Sequence, residues 1–223
     1  YRATLGLASA AIARGARFFE QSPVTKIVTG AKAVEVRTAH ATVTAYRVIV
    51  ATGQPTALFR SLARHVKPLQ TYLALTEAIP ARTRRALGSR TPITIDCAEP
   101  SHHVRWIEDQ QLLVSGADGP IVPERAREKT LVQRTGQLMY ELSTLYPDIS
   151  GIAPAHGWHA AYVRTADGLP YVGPHRNFPR HLFAFGGSAH SVTEAYLASR
   201  ILLRHYLGET DAVDDVFAFT RGV

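Results

Sequence analysis

With 223 residues, 46% of them hydrophobic and 19% charged, the chain has material for one large domain or two small ones and too little charge for a disordered polypeptide. Its net charge is +7 at pH 7, yet the basic residues are scattered and the densest cluster, Arg82-Thr-Arg-Arg85, is short, which argues against a nucleic-acid partner. No run of about 18 apolar residues predicts a transmembrane helix, and the single cysteine, Cys97, excludes an internal disulfide and fits a reducing, cytoplasmic compartment, with peripheral membrane contact left open.

The chain opens at Tyr1 in a helical pattern, with Leu5, Leu7, Ala8, Ala11 and Ile12 on one face. No cap or first strand precedes this helix, so the chain is read as the C-terminal part of a longer protein. A turn at Gly15 leads into a short strand over 16–20. Alternating, β-branched stretches at 24–28, 33–37 and 42–46, with turns near Gly30 and His40, predict a three-stranded meander. Residues 48–51 are continuously apolar, as in a strand buried on both faces.

A second region follows. Residues 70–77 read as a strand and 81–87, after Pro80, as a short helix. Residues 92–97, 102–107 and 111–115 read as antiparallel strands, the last two joined by a turn at Glu108-Asp109. Residues 123–146 form a long amphipathic helix striped by Leu131, Leu138, Leu142 and Leu145 and stopped by Pro147. Strands follow at 157–163, 169–172 and 182–185. A helix at 194–206 turns Leu197, Ile201 and Leu202 inward, and Gly208 ends it.

Two corners carry the chemistry. In His181-Leu-Phe-Ala-Phe-Gly-Gly-Ser-Ala-His190, an apolar strand stops at two glycines, a small-residue turn follows and a helix begins. Such a corner aims backbone N–H groups and a helix N-terminus at one point, which favours an anion, above all a phosphate. The strand Arg47-Val-Ile-Val-Ala51 likewise ends in a small turn, Thr52-Gly53, where the missing Cβ leaves room for a ligand. An ordinary strand-to-loop turn remains the alternative there. Two such ends suggest a cofactor held between them.

Three segments resemble the FAD-dependent oxidoreductases of the D-amino-acid oxidase and glycine oxidase type. Thr44-Ala-Tyr-Arg-Val-Ile-Val-Ala-Thr-Gly53 is similar to the Ala-Thr-Gly strand motif of flavoproteins with two dinucleotide-binding domains. Arg164-Thr-Ala-Asp-Gly-Leu-Pro-Tyr-Val-Gly-Pro174 is similar to the family's Thr-x-Asp-Gly-x-Pro-x-x-Gly segment, and the stretch from Leu182 to Thr193 to its final flavin-binding turn. The resemblance implies an α+β or α/β protein in which part of an FAD-binding domain (1–65) precedes a mainly antiparallel substrate domain (66–163), and the chain then returns to the FAD-binding domain (164–223). It implies an amine or amino-acid oxidase or dehydrogenase that transfers a hydride from the C–H beside nitrogen to the flavin. The implied cofactor is FAD, contacted by Thr52, Gly53, Gly168, Gly186, Gly187, Ser188, Ala189 and Thr193. The implied partner is a small amine or amino-acid substrate, contacted by Arg164, Arg105 and His190. No catalytic base is implied, because the flavin carries the chemistry.

Departures and alternatives complete the reading. Ala189 and Ser191 stand where relatives carry glycine. The family's Gly-x-Gly-x-x-Gly turn and its ribose-binding acid do not occur in the sequence, so these residues alone are expected to hold FAD poorly and to be inactive. A guanidinium suits a carboxylate, but Arg164 also reads as a surface arginine. His190 reads equally as a packing residue, Thr193 as an N-cap contact and Asp167 as a turn-closing side chain. A non-catalytic, flavoprotein-like scaffold is the alternative function. His102-His103 and His156-Gly-Trp-His159 lack the companions of a zinc site, and His102 is expected to line the substrate domain or face solvent. Cys97 is expected to be buried and inert. Arg105, Trp106 and Asp118 are placed on the wall facing the flavin. No Gly-x-Ser-x-Gly elbow supports a hydrolase.

Overall fold

A computed structural model of the chain describes residues 2–186 and 191–221. Helix α1 (Arg2–Ile12) forms as its period predicts, and Gly15 closes it at φ +93°. No residue of α1 is buried, and Leu7 is 73% exposed. Residues 16–20 form no strand, contrary to expectation. No described strand takes their backbone hydrogen bonds, and Phe18 and Phe19 face solvent. The meander is present: β1 (Lys26–Thr29), β2 (Val34–Arg37) and β3 (Thr42–Ala45) pair antiparallel in that order.

Strand β4 (Val48–Gly53) belongs to another sheet, ordered β10 (Tyr171–His175), β11 (Phe178–Phe185), β4. It runs parallel to β11, while β10 and β11 form a hairpin. Burial on both faces is not what β4 shows. Only Val50 is buried and Ile49 is 52% exposed, because β4 is the edge of its sheet. Val50, Tyr171, Phe183 and Phe185 build a core with Phe59 and Leu62 from a 3₁₀ segment, Ala57–His65, that the sequence patterns did not suggest. Helix α4 (Ser191–Leu207) lays Ala198, Ile201 and Leu202 against Val172 and Leu182, and Gly208 stops it at φ +80°.

The middle of the chain makes one antiparallel sheet, ordered β6 (Thr94–Ile95), β7 (His103–Ile107), β8 (Gln111–Pro120), β5 (Lys67–Thr76), β9 (Pro154–Arg164). Glu108 and Asp109 turn β7 into β8 with φ of 49° and 56°, the left-handed pair that a tight hairpin requires. The short helix α2 (Ala81–Ala86) follows Pro80 as expected. Helix α3 (Glu124–Leu145) covers one face of the sheet. Its Leu138 and Leu142 pack on Tyr72, Ala74, Val104, Leu112 and Val114, whereas Leu145 at its end is exposed.

Strand period decides what the other face carries. Along β5, Gln70, Tyr72, Ala74 and Thr76 are buried toward α3, while Leu69, Thr71, Leu73 and Leu75 are half-buried on the opposite face. Directly paired residues share a face. Tyr162 lies opposite Leu69, Trp158 opposite Leu73, and Ser115 between Leu73 and His103. This uncovered face holds the polar pocket described next.

Candidate functional site

The two small-residue corners meet. Phe185 stands level with Gly53 in the β11–β4 register, and the Gly186 N–H donates to the Gly53 carbonyl at 3.0 Å. Gly53 has φ +71°, and nothing lies within 4 Å of where its Cβ would stand. Gly186 has φ +92°, and a Cβ there would press on Pro170 Cα and Thr165 Cγ2 at 3.1 Å each, so only glycine suits the position. A cleft of about 330 Å³ opens beside them, lined by Ala51, Gly53, Pro170, Gly186, Ala195 and Ala198. The Thr52 hydroxyl donates to the Gln54 carbonyl at 2.7 Å and so stiffens the β4 turn. Thr193 is exposed, and as the third residue of α4 it stands inside the helix rather than at its cap. Gly187, Ser188, Ala189 and His190 lie outside the described residues.

Gly168 sits at φ +77° with open space around it, in a turn that Asp167 anchors. Asp167 Oδ1 accepts from the Leu169 N–H at 3.1 Å. Arg221 forks onto the same carboxylate at 2.7 and 3.0 Å, donates to the Pro170 and Leu169 carbonyls and lies 3.5 Å over the Tyr171 ring. Burial works to raise the pKa of Asp167, but the hydrogen bonds from Arg221 and Leu169 outweigh it and hold the carboxyl below its usual range. Arg221 was not singled out by the sequence, since no local pattern links it to a residue 54 positions away.

Strand β9 delivers the second half of the site to the first. Its last residue, Arg164, lines a pocket of about 340 Å³ on the uncovered sheet face, together with Thr71, Glu99, His103, Asp118 and Tyr162. The next residue, Thr165, is buried against Gly186. The Tyr162 hydroxyl donates to Asp118 Oδ2 at 2.5 Å. Burial and that carboxylate push the phenol far above its ordinary pKa, so Tyr162 stays a neutral donor. Arg164 meets Glu99 at only 3.5 Å, and both side chains are exposed. Such a loose pair is worth about 0–1 kcal/mol and leaves the guanidinium open to another anion. Strand alternation places Tyr162 and Arg164 on one face, so Tyr162 was readable from the sequence; Glu99 was not.

Other expectations are corrected. Arg105 is exposed and lines a separate small recess with Ser89, Pro92 and Thr94, so the structure does not bring it to Arg164. Cys97 is exposed, not buried, because β6 stops at Ile95 and Asp96 turns the chain back. His102 neither faces solvent nor stands free on the wall; Asp96 and Glu141 enclose it. Trp106 packs toward the α3 side of the sheet. Among the described residues no group of three His, Cys, Asp or Glu is placed to hold a metal ion, and no helix is long and apolar enough to cross a membrane.

Comparison with known proteins places this architecture. The family model DAO, FAD dependent oxidoreductase, matches residues 1–204. The probable oxidoreductase OrdL of Haemophilus influenzae is 27% identical over 212 residues, covering 93% of this chain and 46% of its own length. The chain thus spans about half the length of the curated relatives it matches. Glycine oxidase from Geobacillus kaustophilus shares the fold with a TM-score of 0.75 at 21% identity, over 97% of this chain and 56% of that one. L-proline dehydrogenase from P. horikoshii does so with a TM-score of 0.77 at 18% identity, over 97% of this chain and 57% of that one. The family match covers both strand-end corners and the β9 pocket that adjoins them, and the chain belongs to the DAO family of FAD dependent oxidoreductases.

Proposed function

We propose that this chain supplies the substrate wall and the flavin-closing corner of an enzyme that oxidises an amine or amino acid by hydride transfer to FAD. One observation carries the reading. Consecutive residues at the end of β9 serve the two sites, with Arg164 lining the polar pocket and Thr165 packed under Gly186 at the cleft. A substrate in that pocket would therefore sit beside whatever the cleft holds.

The residues present fit the flavin end of FAD. Gly53 and Gly168 leave space where a Cβ would stand, and Ala51, Ala184, Ala195 and Ala198 keep much of the cleft wall small, with Phe185, Glu194 and Leu202 completing it. Thr52, Gly53, Gly168 and Gly186 would hold it, joined by Gly187, Ser188, Ala189 and Thr193 on the strength of the family resemblance. The Gly-x-Gly-x-x-Gly turn that grips a pyrophosphate is not among these residues, so the chain's own contribution is to the flavin end. When bound, FAD supplies the acceptor for the hydride from the substrate C–H next to nitrogen.

The side chains bind and orient. Arg164 offers two parallel N–H donors to a substrate carboxylate and exchanges its loose contact with Glu99 for it. Tyr162 holds its proton at Oη and fixes Asp118. His190 joins the substrate side by resemblance, while Arg105 is left out because of its place in the fold. The division into 1–65, 66–163 and 164–223 belongs to the same proposal; it is supported by the five-stranded sheet, which draws on strands from Lys67 to Arg164, and by the pairing of β4 with the β10–β11 hairpin. The lone exposed thiol favours a reducing, cytoplasmic compartment. Steady-state kinetics of Arg164→Met, made in the protein together with whatever sequence flanks these residues in its gene, test the reading. KM for a carboxylate-bearing substrate should rise by about a hundredfold, with a smaller change in kcat. An unchanged KM removes Arg164 from the substrate.

A further inference from the structure

Residues 96–102 form a loop between β6 and β7 that carries Glu99 and Ser101 into the wall of the Arg164 pocket. One carboxylate closes this loop. Asp96 Oδ1 accepts from the backbone N–H groups of Ala98 at 3.2 Å and His102 at 2.7 Å. The imidazole of His102 then ties the closed loop down. Its Nδ1 lies 2.6 Å from Asp96 Oδ2 and its Nε2 lies 2.8 Å from Glu141 Oε2 on α3. Behind Glu141 the network continues on the helix, with Gln137 donating to Glu141 Oε1 at 2.9 Å and Arg134 donating to Gln137 at 2.7 Å.

Both ring nitrogens face carboxylate oxygens, and a carboxylate only accepts. A neutral imidazole has one N–H and satisfies one of them; the imidazolium has two and satisfies both. The charged groups around the ring are Asp96 from the loop and Glu141 from α3, while β8 meets it with Gly116, where a Cβ would stand 2.7 Å from His102 Cδ2. We propose that His102 is a positioning residue that holds the 96–102 loop against the Arg164 pocket only while its ring is protonated. Loss of one proton sets a lone pair against one of the two carboxylates, so the ring no longer bridges Asp96 to Glu141, and the loop loosens with Glu99 and Ser101. The direction of titration agrees. Burial acts to lower the pKa of His102, but the hydrogen bonds to Asp96 and Glu141 overcome it and raise the value above 6.5. Holding therefore persists through neutrality and fails as pH climbs past the raised value.

This inference deepens the proposed reading only in that the pocket is taken as the substrate site; the clamp itself stands on geometry alone. Amide hydrogen exchange of Ala98 and His102 tests it, because those two N–H groups report the Asp96 closure directly. Rates are corrected for intrinsic base catalysis and followed from about pH 6 to pH 9. Protection should be high at the acid end and fall about tenfold or more through a single step above the ordinary histidine value. In Glu141→Gln the step should move to lower pH, and in His102→Gln it should vanish with protection low throughout. A flat profile in the unsubstituted protein overturns the proposal, as does a step that survives in His102→Gln. Should His102→Gln fail to fold, the unsubstituted and Glu141→Gln profiles decide alone. No readout uses flavin or turnover, so failure of the clamp and failure of the oxidase reading are told apart.

Discussion

Arg221 binds Asp167 through two nitrogens, caps two carbonyls of the same turn and stacks on Tyr171. Its side chain is only 9% exposed and that of Asp167 27%. Asp167 keeps water of its own, so what Arg221→Ala removes is the covered guanidinium's four hydrogen bonds and its stacking on Tyr171. Arg221→Ala should therefore cost about 2 kcal/mol in denaturant unfolding. The pH dependence has a definite sign. Asp167 has a depressed pKa when folded, so its contribution is full above the usual carboxylate range and drains away as pH falls through the lowered value. Arg221→Ala should flatten that acid limb of the stability profile. This pair was invisible in the sequence for the same reason as Asp96–His102–Glu141 and Tyr162–Asp118. Their members lie between 6 and 54 residues apart, and only the folded chain decides which carboxylate meets which donor.

The elements themselves were largely legible. The helix after Pro123 and the final helix have a period that matches the face they bury, and the meander pairs as its alternation predicts while burying only Val34 of its strand residues. What failed was burial at edges. Residues 48–51 read as a strand covered on both sides, yet β4 borders its sheet and exposes Ile49. Residues 16–20 had strand-like composition but gained no pairing partner among the described residues. Where the period was right, energetics follow from it. Leu138 of α3 is fully buried against Tyr72, Ala74 and Val114. Leu138→Ala should destabilise the protein by about 3 kcal/mol, through lost burial and the cavity left behind. A thermal melt unchanged within about 1 °C would mean that α3 does not hold the sheet.

At the scale of the whole molecule, the site is a junction. The sheet made of β10, β11 and β4 ends at Gly53 and Gly186, the sheet made of β5 to β9 presents the Arg164 pocket, and the step from Arg164 to Thr165 connects them. The glycines at that junction were legible as motifs because the backbone itself needs them. The pocket was half legible, since strand period aligned Tyr162 with Arg164 but could not announce that Arg105 would fall elsewhere. The cofactor content of the purified protein, prepared with whatever sequence flanks these residues in its gene, tests the junction most directly. Denaturing the protein and quantifying the released flavin should return about one FAD per polypeptide. A colourless protein that releases none would contradict the account and leave a scaffold with the shape of a flavoprotein.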